Sequence, residues 1–305
     1  MQAVQFELYG GPSVLQVVDA AIPTPADDEV LIRVQAAGVN LIDLKRRRGD
    51  LAGVFPDTFP ARPGLDAAGV VVALGAAVTG VTIGDEVFGG SPRGSYAEQC
   101  TLRPWFAKPA ELSWELAAIL PTIAETAARC VGELAPKPGE VVLIHGAAGA
   151  VGMMATQLIR RLGADVIGVV TSPEQSEAIE RFGAKAVQAG PQLVERMRSI
   201  GVEAVDAALD TTGAGVLEDS VALAGGPERV VTIADMGAAA LGVRFSGAGP
   251  VRAYDQIPAI AAAVADGSLV VPAPTVRDLT DAAAVHEEIE AHQLRGKVVL
   301  VPTSR

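Results

Sequence analysis

A glycine-rich turn between two apolar stretches is the part of this sequence best suited to chemistry with phosphate groups. The apolar run Val141–Ile144 predicts a strand buried on both faces, and a turn of small residues follows over His145–Gly152. From there, apolar residues recur at helical spacing across Val151–Leu162. The first N–H groups of such a helix and its dipole attract an anion, so the turn is suited to a pyrophosphate. The alternative is a glycine turn needed only for tight packing.

Composition narrows the class of protein. The 305 residues are 50% hydrophobic and 20% charged, typical of a globular chain with a large core. The net charge of −12 argues against nucleic acid as a partner. Cys100 and Cys130 are too few and too far apart for a disulfide framework, which suits a reducing compartment. The first ten residues do not resemble a signal peptide, and glycines interrupt the uncharged stretch 67–84, so we expect a cytoplasmic protein without a membrane segment.

Short elements separated by turns precede the glycine-rich turn. Residues 36–43 suggest a short helical turn, and the basic run Lys45–Arg48 is expected to be a solvated face, with attraction of an anionic ligand as the alternative. Residues 63–102 predict a small β-rich lobe. Ser113 is placed to cap a helix that stops at Pro121, and a second helix is predicted over Ile123–Leu134.

Strands alternate with helices in the second half of the chain. Strands are predicted at Asp165–Val170, Val205–Leu209 and Val230–Ile233, a helix at Ile257–Ala265 and a closing strand at Gly296–Val301. This alternation predicts a doubly wound parallel sheet. Ligands of such sheets bind at the carboxyl ends of the strands.

Several motifs, taken in their order along the chain, resemble the medium-chain dehydrogenase/reductase superfamily and most closely its zinc-free, zeta-crystallin-like quinone oxidoreductase branch. The resemblance covers essentially the whole chain. It implies an α/β protein with a GroES-like β-rich catalytic domain, residues 1–118 and 256–305, and a doubly wound parallel-sheet Rossmann domain, residues 119–255. The motifs are Ala37–Asp43, Pro63–Gly69, Gly84–Gly89, Gly94–Glu98, the glycine-rich turn and Arg295–Leu300.

The metal positions of zinc-dependent relatives are changed in this sequence. Those relatives have a catalytic cysteine where this chain has Asn40 and a histidine where it has Leu65. Leucine cannot bind a metal, and asparagine is a poor substitute for a thiolate, so we predict no zinc. His145, His286 and His292 lie outside these positions and are interpreted as packing or surface residues.

The resemblance implies that Asn40 lies near the nicotinamide and hydrogen-bonds a substrate carbonyl; the alternative is that its side chain satisfies its own turn. Without a Lewis acid, the natural substrate is one already activated toward hydride, such as a quinone or an α,β-unsaturated carbonyl. Family members often carry tyrosines in the following segment, where this chain has Lys45 and Leu51. Asp43 is expected to brace the turn, and no side chain stands out as a proton donor.

The end of the second Rossmann strand bears on the choice of cofactor. NAD enzymes usually have a carboxylate there for the ribose 2′-OH, but this strand ends in Val170-Thr171-Ser172, which favours NADPH over NADH. The usual phosphate-binding lysine of the family is replaced by Gln175, which with Ser172 also forms a predicted capping box. The predicted cofactor contacts are Asn40, Thr126, Gly149, Ala150, Val151, Thr171, Ser172, Gln175, Thr212, Ile233 and Ala234.

The sequence therefore predicts an NADPH-dependent, zinc-independent oxidoreductase that transfers hydride to a quinone or enone. The alternatives are a pathway-specific enoyl reductase and a non-catalytic NADPH-binding protein of crystallin-like or RNA-binding type. The expected partners are a small-molecule substrate and a second copy of the chain, without nucleic acid or membrane. Relatives commonly dimerise along the Rossmann sheet edge, for which Leu241–Phe245 is the candidate and Val243→Glu the expected disrupting change.

Overall fold

The computed structural model describes residues 1–54, 56–247 and 252–302. The chain divides into two compact units. Unit 1 contains Met1–Thr122 and the chain from Ile257 onward, and unit 2 is Ile123–Gln256. The first division thus follows Thr122, whereas the sequence placed it after residue 118. Over the described residues, no helix is both long and apolar enough to cross a membrane.

The elements are numbered in chain order. The strands are β1 (Gln2–Gln5), β2 (Gln16–Asp19), β3 (Val30–Val39), β4 (Asp66–Leu74), β5 (Glu86–Gly90), β6 (Gln99–Leu102), β7 (Trp105–Ala107), β8 (Val141–His145), β9 (Asp165–Val170), β10 (Lys185–Gln188), β11 (Ala207–Asp210), β12 (Val230–Thr232), β13 (Arg244–Phe245), β14 (Thr275–Asp278) and β15 (Val298–Val301). The helices are α1 (Leu41–Arg48), α2 (Trp114–Leu134), α3 (Ala150–Arg161), α4 (Pro173–Glu180), α5 (Leu193–Ser199), α6 (Leu217–Ala224), α7 (Ile257–Ala265) and α8 (Ala282–Glu290).

Unit 1 is built on a mixed sheet with strand order β14-β15-β3-β4-β5-β7, to which β6 adds by pairing with β3. The long strand β3 is central, because β4 and β15 both pair with it in antiparallel fashion. Its register places Gly38 opposite Asp66 and Val39 opposite Val298. A Cβ on Gly38 would lie 2.3 Å from the carbonyl oxygen of Ala118, so only glycine allows α2 to pack this closely on β3.

Unit 2 contains the predicted parallel sheet, with strand order β10-β9-β8-β11-β12-β13. All neighbouring pairs are parallel. The strands are apolar, as is typical of a parallel sheet, and Leu143, Ile167 and Val230 are all buried in one core. The strand predicted at Val205 begins at Ala207, since the N–H of Val205 pairs with Leu223 in α6 instead of with the sheet.

The predicted helix break at Pro121 is wrong. α2 runs without interruption from Trp114 to Leu134, although proline cannot donate to the helix and was expected to end it. Burial explains why the helix continues, because Leu120 and Ile123 on either side of the proline are at most 1% exposed. The predicted cap is confirmed, since Ser113 Oγ accepts a hydrogen bond from the N–H of Leu116 at 3.2 Å.

Two expectations for the segment around α1 are also wrong. The predicted helical turn at 36–43 is divided, because β3 continues to Val39 and α1 begins only at Leu41. The basic run is not wholly a solvated face, since Arg47 is 0% exposed. Its guanidinium contacts the carboxylate of Glu290 in α8 and the carbonyl oxygen of Gly10. This arginine therefore ties α1 into the core of unit 1.

The edge strand of unit 2 is shorter than predicted. Of the segment Leu241–Phe245, only Arg244 and Phe245 form β13, and Leu241 closes a short 3-10 turn. β13 does lie at one edge of the sheet. Val243 is buried in the core of unit 2, so a charge there would disturb folding before it disturbed any association. Phe245, which is 42% exposed, is the suitable position for that experiment.

Candidate active site

The predicted cofactor residues of unit 2 follow the carboxyl ends of neighbouring parallel strands. Gly149, Ala150 and Val151 follow β8, and Thr171, Ser172 and Gln175 follow β9. Thr212 follows β11, and Ile233 and Ala234 follow β12. Because β9, β8, β11 and β12 are adjacent and parallel, these loops all lie at the carboxyl ends of the strands, on the same side of the sheet. Thr126 lies in a different element, α2.

The glycine-rich turn packs too closely for side chains. Gly146 has a φ of 74°, in the left-handed region that favours glycine. A Cβ on Gly152 would lie 2.3 Å from the carbonyl oxygen of Gly146. Gly149 is the N-cap of α3, whose first N–H groups have no partner within the helix. The turn therefore places unpaired backbone N–H groups and the positive end of the α3 helix dipole at the carboxyl end of β8. This arrangement suits a phosphate.

The end of β9 is ordered by hydrogen bonds between the predicted residues. Oγ of Ser172 accepts from the N–H of Gln175 at 3.4 Å, as expected of an N-cap. Oε1 of Gln175 accepts from the N–H of Thr171 at 2.8 Å and from its Oγ1 at 3.0 Å. The predicted capping box is thus shifted by one residue, because the glutamine reaches Thr171 and not the N-cap itself. No carboxylate occurs in the segment from Val170 to Ser172.

Asp210, which the sequence analysis missed, organises the loops after β11 and β12. It is fully buried, and its Oδ1 accepts from the N–H and Oγ1 of Thr212 at 2.8 and 2.7 Å. Its Oδ2 accepts from Oγ1 of Thr232 at 2.8 Å, and Thr232 in turn accepts from the N–H of Ala234 at 3.1 Å. An aspartate closing an otherwise apolar strand was the available signal. This carboxylate fixes the positions of two predicted cofactor residues.

The three histidines have structural surroundings, as the sequence analysis interpreted them. The ring of His145 contacts Ser220 Oγ at 3.0 Å, and burial lowers the pKa of this histidine. Nε2 of His286 contacts the Tyr96 hydroxyl at 3.2 Å, and burial lowers the pKa of His286 to about 3. Both imidazoles are therefore neutral at pH 7. His292 is exposed just after α8.

Asn40 is the centre of a buried polar network in unit 1. Its Nδ2 donates to Asp66 Oδ2 at 2.9 Å, and its Oδ1 accepts from Nζ of Lys297 at 2.6 Å. The same ammonium group donates to the carbonyl oxygen of Val39 at 2.6 Å. Strand pairing brings these three side chains together. Asn40 follows β3, and its partners lie on the two strands that pair with β3, because Asp66 begins β4 and Lys297 precedes β15. Lys297 and Asp66 were noted only as parts of motifs, since pairing across 257 residues leaves no local signal.

Asp43 braces the start of α1, as expected. Its Oδ2 accepts from the N–H of Asn40 at 2.9 Å, and its Oδ1 accepts from the N–H of Gly64 at 3.2 Å. Asp43 thus satisfies the backbone N–H at the N-cap of α1, as in a capping box. The Asn40 side chain also binds two charged partners outside this turn, Asp66 and Lys297.

Two carboxylates of this network, Asp43 and Asp66, are fully buried, and Lys297 is partly buried. Burial raises the pKa of Asp43 to about 7 and that of Asp66 to about 6, while the charge of Lys297 acts in the opposite direction. Burial also lowers the pKa of Lys297, opposed by the two carboxylates. Thr122 adds two hydrogen bonds to Asp66, from its N–H at 3.2 Å and its Oγ1 at 2.8 Å. The opposite charges of the carboxylates and the ammonium group thus stabilise one another's ionised forms against the cost of burial.

Comparison with known proteins places this geometry in a family. The model of the alcohol dehydrogenase GroES-like domain matches residues 26–110, and the model described as zinc-binding dehydrogenase matches residues 150–245. A quinone oxidoreductase of Lama guanicoe is 32% identical over 245 residues, 78% of this chain and 74% of that protein. A 2-methylene-furan-3-one reductase of Solanum lycopersicum is 34% identical over 60% of this chain and 50% of its own length.

Among solved structures, the Escherichia coli quinone oxidoreductase complexed with NADPH is similar over 99% of this chain and 100% of that one, with a TM-score of 0.83 and 25% identity. The resemblance inferred from the motifs is therefore confirmed by models that match both units and by relatives that share most of the chain. The chain belongs to the medium-chain dehydrogenase/reductase superfamily, in its quinone oxidoreductase branch.

Proposed function

We propose that this protein is an NADPH-dependent, zinc-independent oxidoreductase that reduces a quinone or an α,β-unsaturated carbonyl compound. The proposal rests on one feature in each unit: in unit 2 a glycine-rich turn suited to a phosphate, with no carboxylate at the end of β9, and in unit 1 a buried asparagine amide where zinc-dependent relatives have a metal ligand. Both features come from this chain's own residues.

Unit 2 fits NADPH. The turn from Gly146 to Gly152 would hold the pyrophosphate, because its backbone approaches without side chains. Ser172 and Thr171 would face the 2′-phosphate with neutral hydroxyls and no opposing carboxylate at the strand end. NADPH, when bound, supplies the hydride. The similar Escherichia coli protein was solved with this cofactor, which supports the assignment.

The donor set at Asn40 does not fit a zinc ion. Leu65 has no donor atom, and the side-chain oxygen Oδ1 of Asn40 already accepts from the ammonium group of Lys297 at 2.6 Å. A second cation beside this ammonium group would be repelled, and an amide oxygen binds zinc poorly. The described part of the chain holds no group of three or more His, Cys, Asp or Glu side chains that could bind a metal. The proposed reaction therefore does not use zinc.

The proposed substrate follows from this chemistry. Without a metal to polarise a ketone, the acceptor must already be electron-poor, as quinones and enones are. The electron-poor carbon or quinone oxygen would accept the hydride that bound NADPH supplies, and a proton from water would complete the reduction. The side-chain amide of Asn40, through Nδ2, would stabilise the carbonyl oxygen that gains negative charge. The exposed apolar side chain of Leu41, the first residue of α1, suits a hydrophobic acceptor.

Two other functions remain as outcomes of the tests. A pathway-specific enoyl reductase would use the same residues on a narrower substrate, and the similarity to a 2-methylene-furan-3-one reductase supports this candidate. A non-catalytic NADPH-binding protein would bind the cofactor without turnover. RNA binding is disfavoured by the net charge of −12.

We also propose that the protein forms a homodimer joined along β13 and that it is located in the cytoplasm.

The test measures kcat/KM for NADPH and NADH in parallel, with 1,4-benzoquinone and cyclohex-2-enone as acceptors and EDTA throughout. Ser172→Asp keeps a good helix cap but adds a carboxylate, so we expect a loss of kcat/KM with NADPH of about tenfold or more and little change with NADH. Ser172→Asn is the matched control, since it caps the helix without charge. A preference of the unsubstituted protein for NADH would overturn the cofactor assignment.

A further inference from the structure

The side chain of Asn40 lies between two charged groups of opposite hydrogen-bonding capacity. The ammonium group of Lys297 can only donate, and it meets Oδ1 at 2.6 Å. The ionised carboxylate of Asp66 can only accept, and it meets Nδ2 at 2.9 Å. Turning the amide over would set N–H against ammonium and C=O against carboxylate. Both charge-assisted hydrogen bonds would then be lost in a buried site.

We infer that Lys297 and Asp66 are positioning residues that hold Asn40 in one orientation, as a hydrogen-bond donor toward a ligand oxygen such as the carbonyl of the substrate. Oδ1 is taken by Lys297, while Nδ2 carries two hydrogens, of which Asp66 accepts one. The second hydrogen is therefore the polar atom that a ligand can meet. The identity of the acceptor rests on the proposed function, whereas the orientation of the amide does not.

Each positioning residue is itself held by a further contact. Lys297 also donates to the carbonyl oxygen of Val39, the last residue of β3. Asp66 also accepts from the N–H and the hydroxyl of Thr122. These contacts fix the two charges to neighbouring strands and to α2. The amide therefore has little freedom to turn, which is the preorganisation that a stabilising donor requires.

The composition of the chain makes the orientation directly observable. Asn40 is the only asparagine among the 305 residues, so protein labelled with [¹⁵N-amide]asparagine gives one side-chain NH₂ pair by NMR. We expect two protons well separated in chemical shift, with the one bonded to Asp66 shifted downfield and slow to exchange with solvent. A narrow pair with the rapid exchange of free asparagine would overturn the inference. This reading needs neither turnover nor a variant.

Ligand titrations distinguish the two sources of an acceptor oxygen. Saturating cyclohex-2-enone without cofactor should shift the second amide proton if the oxygen belongs to the substrate, and NADP⁺ alone should shift it if the oxygen belongs to the cofactor. Either shift supports the donor role. No shift with either ligand, or with both together, would overturn it.

Variants separate positioning from folding. Lys297→Met should reduce the separation of the two amide protons and lower kcat by about tenfold, since a misplaced donor costs roughly that much or more, while the Kd for NADPH stays unchanged. Lys297→Arg should restore the separation and most of kcat. Lys137→Met, at an exposed lysine of unit 2, controls for the loss of one positive charge.

Activity assays and the NMR spectrum of Asn40 can fail independently, so failure of the proposed function is distinguishable from failure of the positioning role. If the unsubstituted protein reduces no acceptor, the proposed function fails, and the NMR spectrum of Asn40 still decides the orientation. If Lys297→Met retains both the amide spectrum and kcat, the positioning role is refuted even though the enzyme is active. If Lys297→Met does not fold, the unsubstituted spectrum and Lys297→Arg provide the decision.

Discussion

Replacing Gly152 by alanine tests whether the glycine-rich turn is built for close backbone approach. The added Cβ would lie 2.3 Å from the carbonyl oxygen of Gly146 and 2.8 Å from Cα of Ala147, where ordinary contacts begin at 3.4 Å. The turn must therefore open by about 1 Å. Both neighbours are backbone atoms, so no side chain can rotate away to relieve the overlap.

The expected magnitude follows from two opposing effects. Alanine in a helix is favoured over glycine by about 1 kcal/mol, and overpacking of this kind costs roughly 1–3 kcal/mol. Gly152→Ala should therefore be neutral to destabilising, by up to about 2 kcal/mol. Gly132→Ala is the matched control, because Gly132 also lies in a helix and a Cβ there meets nothing within 4 Å. That control should be stabilised by about 1 kcal/mol.

The cofactor should report the same displacement more strongly. Opening the turn moves the N–H groups at the start of α3 away from the pyrophosphate, so we expect the Kd for NADPH to rise about tenfold or more, equivalent to about 1.4 kcal/mol. Urea unfolding measures the stability of Gly152→Ala and Gly132→Ala, and quenching of protein fluorescence measures NADPH affinity. If Gly152→Ala binds NADPH and resists urea as well as Gly132→Ala does, the close-approach argument is refuted.

Three further predictions concern other parts of the chain. Arg47→Leu should destabilise unit 1 by about 1–3 kcal/mol in urea unfolding, because it removes the buried donor to Gly10 and one of the two arginine partners of Glu290, which keeps Arg48. Gln175→Lys should lower the KM for NADPH by about tenfold and leave that for NADH unchanged, because a cation would then follow β9 near the proposed 2′-phosphate. Phe245→Glu should convert the proposed dimer to monomers in light scattering, since it places like charges on both copies of an exposed sheet edge.

A specific result would contradict each of these three predictions. Arg198→Leu changes an exposed arginine whose partner is also exposed, and equal losses of stability in Arg198→Leu and Arg47→Leu would show that burial of Arg47 does not matter. A lowered KM for NADH in Gln175→Lys would mean that the lysine acts on a group common to both cofactors. A dimer that persists in Phe245→Glu would remove β13 from the interface.

The sequence predicts features whose signals are local. The apolar run of β8, the small residues of the turn and the helical spacing after it lie within one short stretch, and the structure places strand, turn and helix there. The capping serine Ser172 is equally local, because its partner lies three residues away. Residues at the strand ends could also be placed, because ligands of a predicted parallel sheet bind at the carboxyl ends of its strands.

Features that depend on distant pairing could not be predicted in this way. Lys297 meets Asn40 because β15 pairs with β3, and no property of residues 295–300 alone reveals this contact. Arg47 belongs to a run of four basic residues, and only packing against α8 selects it for burial. At Pro121 the local rule was overridden, since the buried neighbours of the proline favour one continuous helix.

Transfer of hydride from NADPH to an electron-poor acceptor is the central claim, and isotope transfer tests it most directly. The protein is incubated with EDTA, cyclohex-2-enone and NADPH carrying deuterium at C4, in separate reactions with the label on each face of the nicotinamide. We predict that one of the two labels appears at the β-carbon of the saturated ketone, as read by mass spectrometry and NMR. A product that carries neither label, or oxidation of NADPH that stops when EDTA is added, would contradict the proposed zinc-independent hydride transfer.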